Sequence, residues 1–210
     1  MSLAMKVKKF RATFIEPSLG TKSSDPKVME KWIAGKAPDP AMTADEVNST
    51  AELEASHKSV FSRNADGNPV IWDYMVKGFF KAAGEVLRTC SPNETRDGAS
   101  TLKKWSGIRG KIDKMLFIYP RKIELNLPAG EVVGEITRPR RGQTPMGETV
   151  SLACSELVPI GTSFDFELKW MEGDALTEAM ITDMVAYGEL SGIGAWRNAS
   201  WGRFSVEEVK

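Results

Sequence analysis

Apolar and polar residues alternate along several short segments of the chain, and this alternation predicts strands. In "SFDFELKW" the apolar residues from Phe164 to Trp170 share one face, while acidic residues and a lysine occupy the other. "KVKKFRATFIE" predicts an opening strand, and further strands are predicted from "RKIELNL", "EVVGEI", "TVSLACSELV" and "RFSVEEV". Asp66-Gly67 separates two short apolar runs and predicts a hairpin, because this pair tolerates a positive φ.

Two stretches have the apolar spacing of amphipathic helices. One begins at Asp73, a candidate N-cap, and runs to Arg88; the other follows Asp174, which is predicted to cap "ALTEAMITDMVAYGEL". Strands interleaved with only two substantial helices predict an α+β fold, with a ferredoxin-like antiparallel sheet and both helices on one face. We expect one domain over residues 1–210, with a polar insertion at about 17–59 and a protruding hairpin or loop at about 137–148.

Composition narrows the function classes. The 210 residues are 41% hydrophobic and 27% charged, as in an ordinary globular protein. His57 is the only histidine and the two cysteines, Cys90 and Cys154, are far apart, so neither a multi-histidine metal site nor a disulfide is expected. We expect no metal and no cofactor. No run of about 20 apolar residues and no signal peptide is found, which predicts a cytoplasmic protein without a membrane span.

Charge is distributed unevenly although the formal net charge is zero. Four basic residues lie between Lys6 and Arg11, whereas the region from Asp165 to Glu189 carries seven acidic residues and one lysine. A neutral protein with separate basic patches can still bind a polyanion.

A glycine-rich segment near the C-terminus is the first candidate site. Its glycines let the backbone approach a ligand or another strand closely, its tryptophans offer faces for base stacking, and its arginines offer charge to phosphates. The alternative is a tight connection from helix to strand whose tryptophans pack into the core. The candidate nucleic-acid contacts are Gly192, Gly194, Trp196, Arg197, Trp201, Gly202 and Arg203.

The first helix provides the second candidate. Gly78 interrupts its pattern at a cost of about 1 kcal/mol relative to alanine, which often indicates the close approach of another group. Lys77 and Lys81 flank it and make this part of the helix electropositive. A solvated lysine face with a packing glycine explains the same residues.

Three arginines in "TRPRRGQTP" provide the third candidate. Arg138, Arg140 and Arg141 lie in a segment without a core pattern, and guanidinium groups pair bidentately with phosphate. A solvated loop tip is the alternative. No catalytic cluster is evident: His57 lies in a polar segment, and Asp25 and Asp39, which could position a metal or water, have no cluster of such residues near them.

In succession these segments resemble the RAMP superfamily, specifically the backbone subunits of CRISPR effector complexes. The resemblance is carried by the turn "EPSLGT", by "MVKGFFK" with its lysine-glycine pair, by "SELVPIGTSFDFEL" and by the loop "GIGAWRNASWGRF". It covers about two thirds of the chain and implies a modified RRM-like fold. The arginine segment corresponds to a thumb-like hairpin in that family.

The resemblance implies a non-catalytic module that binds single-stranded RNA and stacks along it, as a homo-oligomer or within a multisubunit complex. Lys77, Gly78 and Lys81, the arginines of the thumb-like hairpin and the glycine-rich loop become the nucleic-acid contacts. Some members cut target RNA with a loop aspartate, so an endoribonuclease using Asp25 or His57 is an alternative. A stand-alone or phage-borne relative, with a structural or assembly role for the same loops, is another.

Overall fold

The computed structural model describes residues 5–23, 58–90, 105–144 and 147–209. Its strands, numbered in chain order, are β1 (Met5–Phe14), β2 (Ser18–Leu19), β3 (Lys22–Ser23), β4 (Lys58–Val60), β5 (Ser62–Arg63), β6 (Pro69–Trp72), β7 (Leu116–Tyr119), β8 (Lys122–Glu124), β9 (Gly134–Thr144), β10 (Gly147–Val158), β11 (Ser163–Met171) and β12 (Phe204–Val209). Its helices are α1 (Asp73–Cys90), α2 (Ile108–Met115) and α3 (Glu178–Ala186), followed by short 3₁₀ turns at Tyr187–Glu189 and Arg197–Ala199.

The main sheet has four antiparallel strands in the order β12-β1-β11-β7. In chain order, β1 is followed by α1, then β7, β11, α3 and β12, which is the βαββαβ arrangement of a ferredoxin-like fold. The helices cover one face of the sheet. The prediction of an α+β, ferredoxin-like sheet with helices on one face is confirmed.

Aromatic residues fill the layer between this sheet and its helices. The rings of Phe14 and Phe164 lie 5.3 Å apart between their centroids, and the ring of Phe79 from α1 lies 4.9 Å from that of Phe204. All four side chains are buried. Burial of each contributes about 1.5–3 kcal/mol to folding, so this aromatic cluster holds α1 on the sheet.

Two smaller sheets extend the fold. β2, β10, β4 and β3 form one with β9 paired to β10, and β5, β6 and β8 form the other. The hairpin from β5 to β6 turns at Asp66-Gly67, where Gly67 has φ +82° and Asn64 Oδ1 accepts hydrogen bonds from the amides of Asp66 and Asn68. β9 and β10 form a long antiparallel hairpin, and the segment predicted at about 137–148 covers most of β9 and the start of β10.

Two predicted boundaries are wrong. α3 begins at Glu178 and is capped by Thr177, whose side chain accepts a hydrogen bond from Met180 N at 3.3 Å. Asp174 is not the cap, because Gly173 and Leu176 exchange backbone hydrogen bonds that close a tight turn before the helix. The strand predicted from "EVVGEI" begins only at Gly134.

Three of the four basic residues of β1 form ion pairs within the fold. Lys6 and Lys8 both form ion pairs with Glu178, and Arg11 donates two hydrogen bonds of 2.8 Å to Asp165. The N-terminal basic run therefore faces the acidic region that the sequence showed far along the chain.

Candidate nucleic-acid interface

The glycine-rich loop packs against itself and against β2. Ile193 N donates to Gly202 O at 2.9 Å, Gly202 N donates to Pro17 O at 2.9 Å, and Ser18 Oγ donates to Ile193 O at 3.1 Å. A Cβ at position 192 would lie 2.2 Å from the carbonyl carbon of Gly202. The glycines at these positions are therefore required by backbone packing.

The middle of this loop has an unusual backbone conformation. Trp196 and Ser200 bracket the 3₁₀ turn at Arg197–Ala199, and both have left-handed backbones, with φ of 61° and 66°. Such a conformation costs a bulky residue about 1–2 kcal/mol, so the packing of the loop must hold it in place. Trp196 and Trp201 are half-buried and do not belong to the core.

Arg138 of β9 meets both tryptophans of this loop. Its guanidinium carbon lies 3.4 Å from the ring centroid of Trp196 and 4.8 Å from that of Trp201. The fold therefore brings together residues from two candidate segments, the arginine segment in β9 and the glycine-rich loop. We call Trp196 and Trp201 the indole pair.

A cleft of about 620 Å³ lies between α1, the strand β3 and the glycine-rich loop. Tyr74, Met75 and Gly78 line its α1 side, and nothing lies within 4 Å of the position that a Cβ of Gly78 would occupy. The interruption at Gly78 thus opens the helix surface toward the cleft. Gly194 lines the side of the glycine-rich loop.

The charged side chains that line this cleft, among the described residues, are all basic: Lys22, Arg109 and Arg197. Lys22 is only 5% exposed, and its Nζ lies 5.1 Å from the ring centroid of Trp72. Arg109 and Arg197 are exposed. Because like charges converge at a concave surface, the cleft favours an anionic ligand.

A second depression of about 430 Å³ adjoins the cleft. Gly194 and Arg197 line both, and Trp196 lines the depression. The basic cleft and the indole pair therefore belong to one continuous surface.

Lys77 and Lys81 lie on a neighbouring face of α1, directed at α2. Lys77 Nζ donates to the main-chain carbonyl of Asp113 at 3.0 Å, and Lys81 forms an ion pair with the Asp113 side chain. Burial lowers the pKa of Lys77. Lys77 Nζ also lies 5.5 Å from the ring of Phe117. The two lysines flank Gly78 in sequence but do not line the cleft.

Arg203 lies at the end of the glycine-rich loop. It pairs with Glu16 at 2.9 Å and approaches the carbonyl of Glu189, so this guanidinium ties the loop to the segment after β1.

The cleft residues that were not predicted from the sequence include Lys22, Tyr74 and Arg109. Arg109 lies between two glycines in "GIRGK", and Lys22 follows a predicted turn, but neither context distinguishes them from other surface residues.

Several predicted residues lie outside the described part of the chain. These are Asp25, His57 and the side chains of Arg140 and Arg141. In the part that is described, no three His, Cys, Asp or Glu side chains are grouped to hold a metal ion, and no helix is long and apolar enough to cross a membrane.

Comparison with known proteins shows that the fold of this chain is similar to that of a solved structure. No family model and no curated protein matches the chain. Among solved structures, the chain is similar to one chain of the cryo-EM structure of the Type III-B Cmr-beta bound to cognate target RNA. The TM-score is 0.51 at 12% sequence identity, over 98% of this chain and 61% of that chain. This likeness concerns the fold alone, and the chain spans less than two thirds of that neighbour's length.

Proposed function

We propose that the protein binds single-stranded RNA as a non-catalytic module of RAMP type. The observation that carries this proposal is the 620 Å³ cleft, which combines the exposed Arg109 and Arg197 with the aromatic ring of Tyr74 and the open backbone at Gly78. The buried Lys22 adds positive charge behind this surface. Phosphates pair with the two arginines while bases stack on the aromatic surface, which is how proteins hold single strands without reading their sequence.

The proposed path of the RNA follows the described surface. The strand runs through the cleft, past Arg197, and into the depression beside Trp196. Arg140 and Arg141 of the thumb-like hairpin add phosphate contacts in this proposal. The structure that contains the fold neighbour is bound to cognate target RNA, which supports an RNA ligand and a place in a multisubunit complex. In this proposal, copies of the protein stack along the strand.

Lys77, Lys81 and Arg203 have supporting roles in this proposal. Asp113 holds the two lysines beside the cleft, and Glu16 holds Arg203 at the base of the glycine-rich loop. Together with Asp113 the two lysines leave one net positive charge beside the path of the RNA, whereas Glu16 balances the charge of Arg203. None of the three makes a direct phosphate contact in this proposal.

The test is fluorescence anisotropy with a labelled single-stranded RNA and a DNA of the same sequence, measured over a salt series. The variant Arg109→Glu/Arg197→Glu is expected to bind RNA about tenfold or more weakly, and the salt slope should fall by about 0.7 for each phosphate that is no longer neutralised. Lys114→Glu is the control, since Lys114 is exposed on the same helix, α2, but does not line the cleft.

Equal reductions of affinity in Arg109→Glu/Arg197→Glu and Lys114→Glu would place the RNA elsewhere. Absence of binding to RNA and DNA at low salt would reject the function and favour the structural or assembly role. RNA cleavage during incubation would reject the non-catalytic part of the proposal and favour an endoribonuclease.

A further inference from the structure

The contact between Arg138 and the indole pair joins two parts of the fold that are far apart in sequence. Arg138 lies in β9, opposite Ala153 of β10. β10 pairs with β2, and β2 carries hydrogen bonds that anchor the glycine-rich loop. The guanidinium nitrogens of Arg138 are buried in this contact.

The indole pair offers a surface that suits either a guanidinium or a nucleobase. Both are flat groups that stack on indole faces, the first by cation–π attraction and the second by π-stacking. The guanidinium carbon of Arg138 is within 5 Å of both ring centroids, at 3.4 Å and 4.8 Å. One flat group can therefore contact both rings.

The indole pair also lies at the right place for such a base. Trp196 lines the depression that shares Gly194 and Arg197 with the basic cleft. A strand whose phosphates contact Arg197 would bring a base to the position that Arg138 occupies. The left-handed backbone of Trp196 is held by the anchored loop, so the ring is presented before any ligand arrives.

A phosphate offers Arg138 an alternative partner. Guanidinium groups form charge-assisted, bidentate hydrogen bonds with phosphate oxygens, which an indole face cannot provide. Stacking of a base and stacking of an arginine are interactions of similar strength, so the arrival of both a base and a phosphate is sufficient to shift the balance.

We propose that Trp196 and Trp201 form a nucleobase site which Arg138 occupies in the absence of RNA, and that RNA binding exchanges the guanidinium for a base and transfers Arg138 to a phosphate. This inference rests on the proposed function, because the incoming group is a base of the bound strand. It adds a gate to the interface: the stacking site is closed until a strand carrying both groups displaces the arginine.

The experiment compares two single-stranded RNA probes of equal length, one with all its bases and one with abasic sites along its central part. The Kd of the abasic probe divided by the Kd of the intact probe measures how much the bases contribute to binding. Removing the arginine with Arg138→Ala opens the site, so this ratio is expected to rise about threefold to tenfold above that of the unmodified protein. Adding Trp196→Ala to that variant is expected to abolish the rise.

Arg11→Ala is the matched control, because it removes the same charge from the exposed pair with Asp165, away from the indole pair. Its ratio is expected to equal that of the unmodified protein. If the ratio does not change in Arg138→Ala while RNA binding is retained, the exchange is overturned, and Arg138 only stabilises the packing of the loop. Absence of binding to both probes in the unmodified protein would instead reject the proposed function, and this inference with it.

A second measurement needs no variant. RNA carrying 4-thiouridine is irradiated in complex with the unmodified protein, and the crosslinked residues are mapped by mass spectrometry. We expect crosslinks at Trp196 or Trp201. Crosslinks confined to the basic cleft would show that no base reaches the indole pair and would overturn the exchange even if Arg138→Ala failed to fold.

Discussion

Gly192 lies directly against the backbone of Gly202: a Cβ at residue 192 would be 2.2 Å from the carbonyl carbon of Gly202 and 2.3 Å from its oxygen. No side-chain rotation relieves this overlap, because both partners are main chain. The start and the end of the glycine-rich loop can close only if residue 192 has no side chain.

Gly192→Ala is therefore expected to lower the free energy of unfolding by about 3 kcal/mol, since the overlap forces backbone shifts. Urea unfolding followed by circular dichroism measures it. Gly110→Ala is the control, since Gly110 lies in α2 with open space around its Cβ position. It should be neutral or slightly stabilising, and a similar destabilisation of both variants would contradict the packing argument.

Gly78 should respond to substitution in the opposite way. Gly78→Ala is expected to stabilise the protein by about 0.5–1 kcal/mol, because alanine favours the helix and meets no neighbour.

Gly78→Gln places a longer side chain in the cleft and should weaken RNA binding by about tenfold, or 1.4 kcal/mol. Anisotropy with labelled RNA tests this, with Gly110→Gln as control. Unchanged affinity in Gly78→Gln would exclude the cleft from the RNA path.

Glu156 is an acidic residue near the base of the β9–β10 hairpin and is almost fully buried. Its carboxylate accepts hydrogen bonds from Arg63 at 2.6 Å and from the amide of Phe61 at 2.7 Å. Glu156→Ala leaves a largely buried guanidinium and a buried amide without this partner, so a decrease of about 3 kcal/mol in unfolding free energy is expected.

Glu135 is the cross-strand neighbour of Glu156 and provides the matched control. It is exposed and pairs with Lys58, so Glu135→Ala should cost less than about 1 kcal/mol. Urea unfolding of the two variants measures the difference. Equal decreases would mean that burial of the Glu156 pair contributes nothing beyond a surface ion pair.

Glu178 should make part of the free energy of unfolding depend on pH. Hydrogen bonds from Lys6 and Lys8 lower the pKa of Glu178 to about 2. A carboxyl with a lowered pKa binds its proton more readily in the unfolded chain, so its contribution is complete at neutral pH and declines below the pKa of the unfolded chain. We expect this contribution to disappear as the pH falls toward about 2.

Thermal unfolding from pH 7 to pH 2 tests this for the unmodified protein and for Glu178→Gln. The variant should melt at a lower temperature at pH 7, and the difference should shrink as the pH falls. Glu131→Gln, in an exposed loop, is the control. A difference that stays constant with pH would show that the effect does not come from the charge of Glu178.

Much of the fold could be predicted because its elements follow local patterns. The alternation from Phe164 to Trp170 gives one buried face of β11, and the spacing in α1 gives the stripe that meets the sheet. α2 and β7 could not be recognised in this way, since "IRGKIDKM" contains an internal glycine and β7 has only four residues. The predicted cap of α3 is wrong because a tight turn at Gly173 competes with Asp174.

The candidate site could be predicted only in part. Glycine and tryptophan in one short segment mark a loop that packs closely, and the structure shows the backbone contacts that require those glycines. No sequence pattern around Lys22 or Arg109 indicates a binding site, because an isolated basic residue on a polar segment is usually a solvated surface residue.

Local sequence patterns set the faces of strands and helices, since backbone geometry imposes periods of 2 and 3.6 on whatever residues follow. Which charges meet depends instead on the tertiary structure. Lys6 and Lys8 are paired with Glu178 and Glu208, whereas the three basic residues of the cleft line one surface. Arg138 reaches the indole pair through the pairing of β9, β10 and β2. These neighbours depend on strand order and on the packing of loops, and both are set by the whole chain at once.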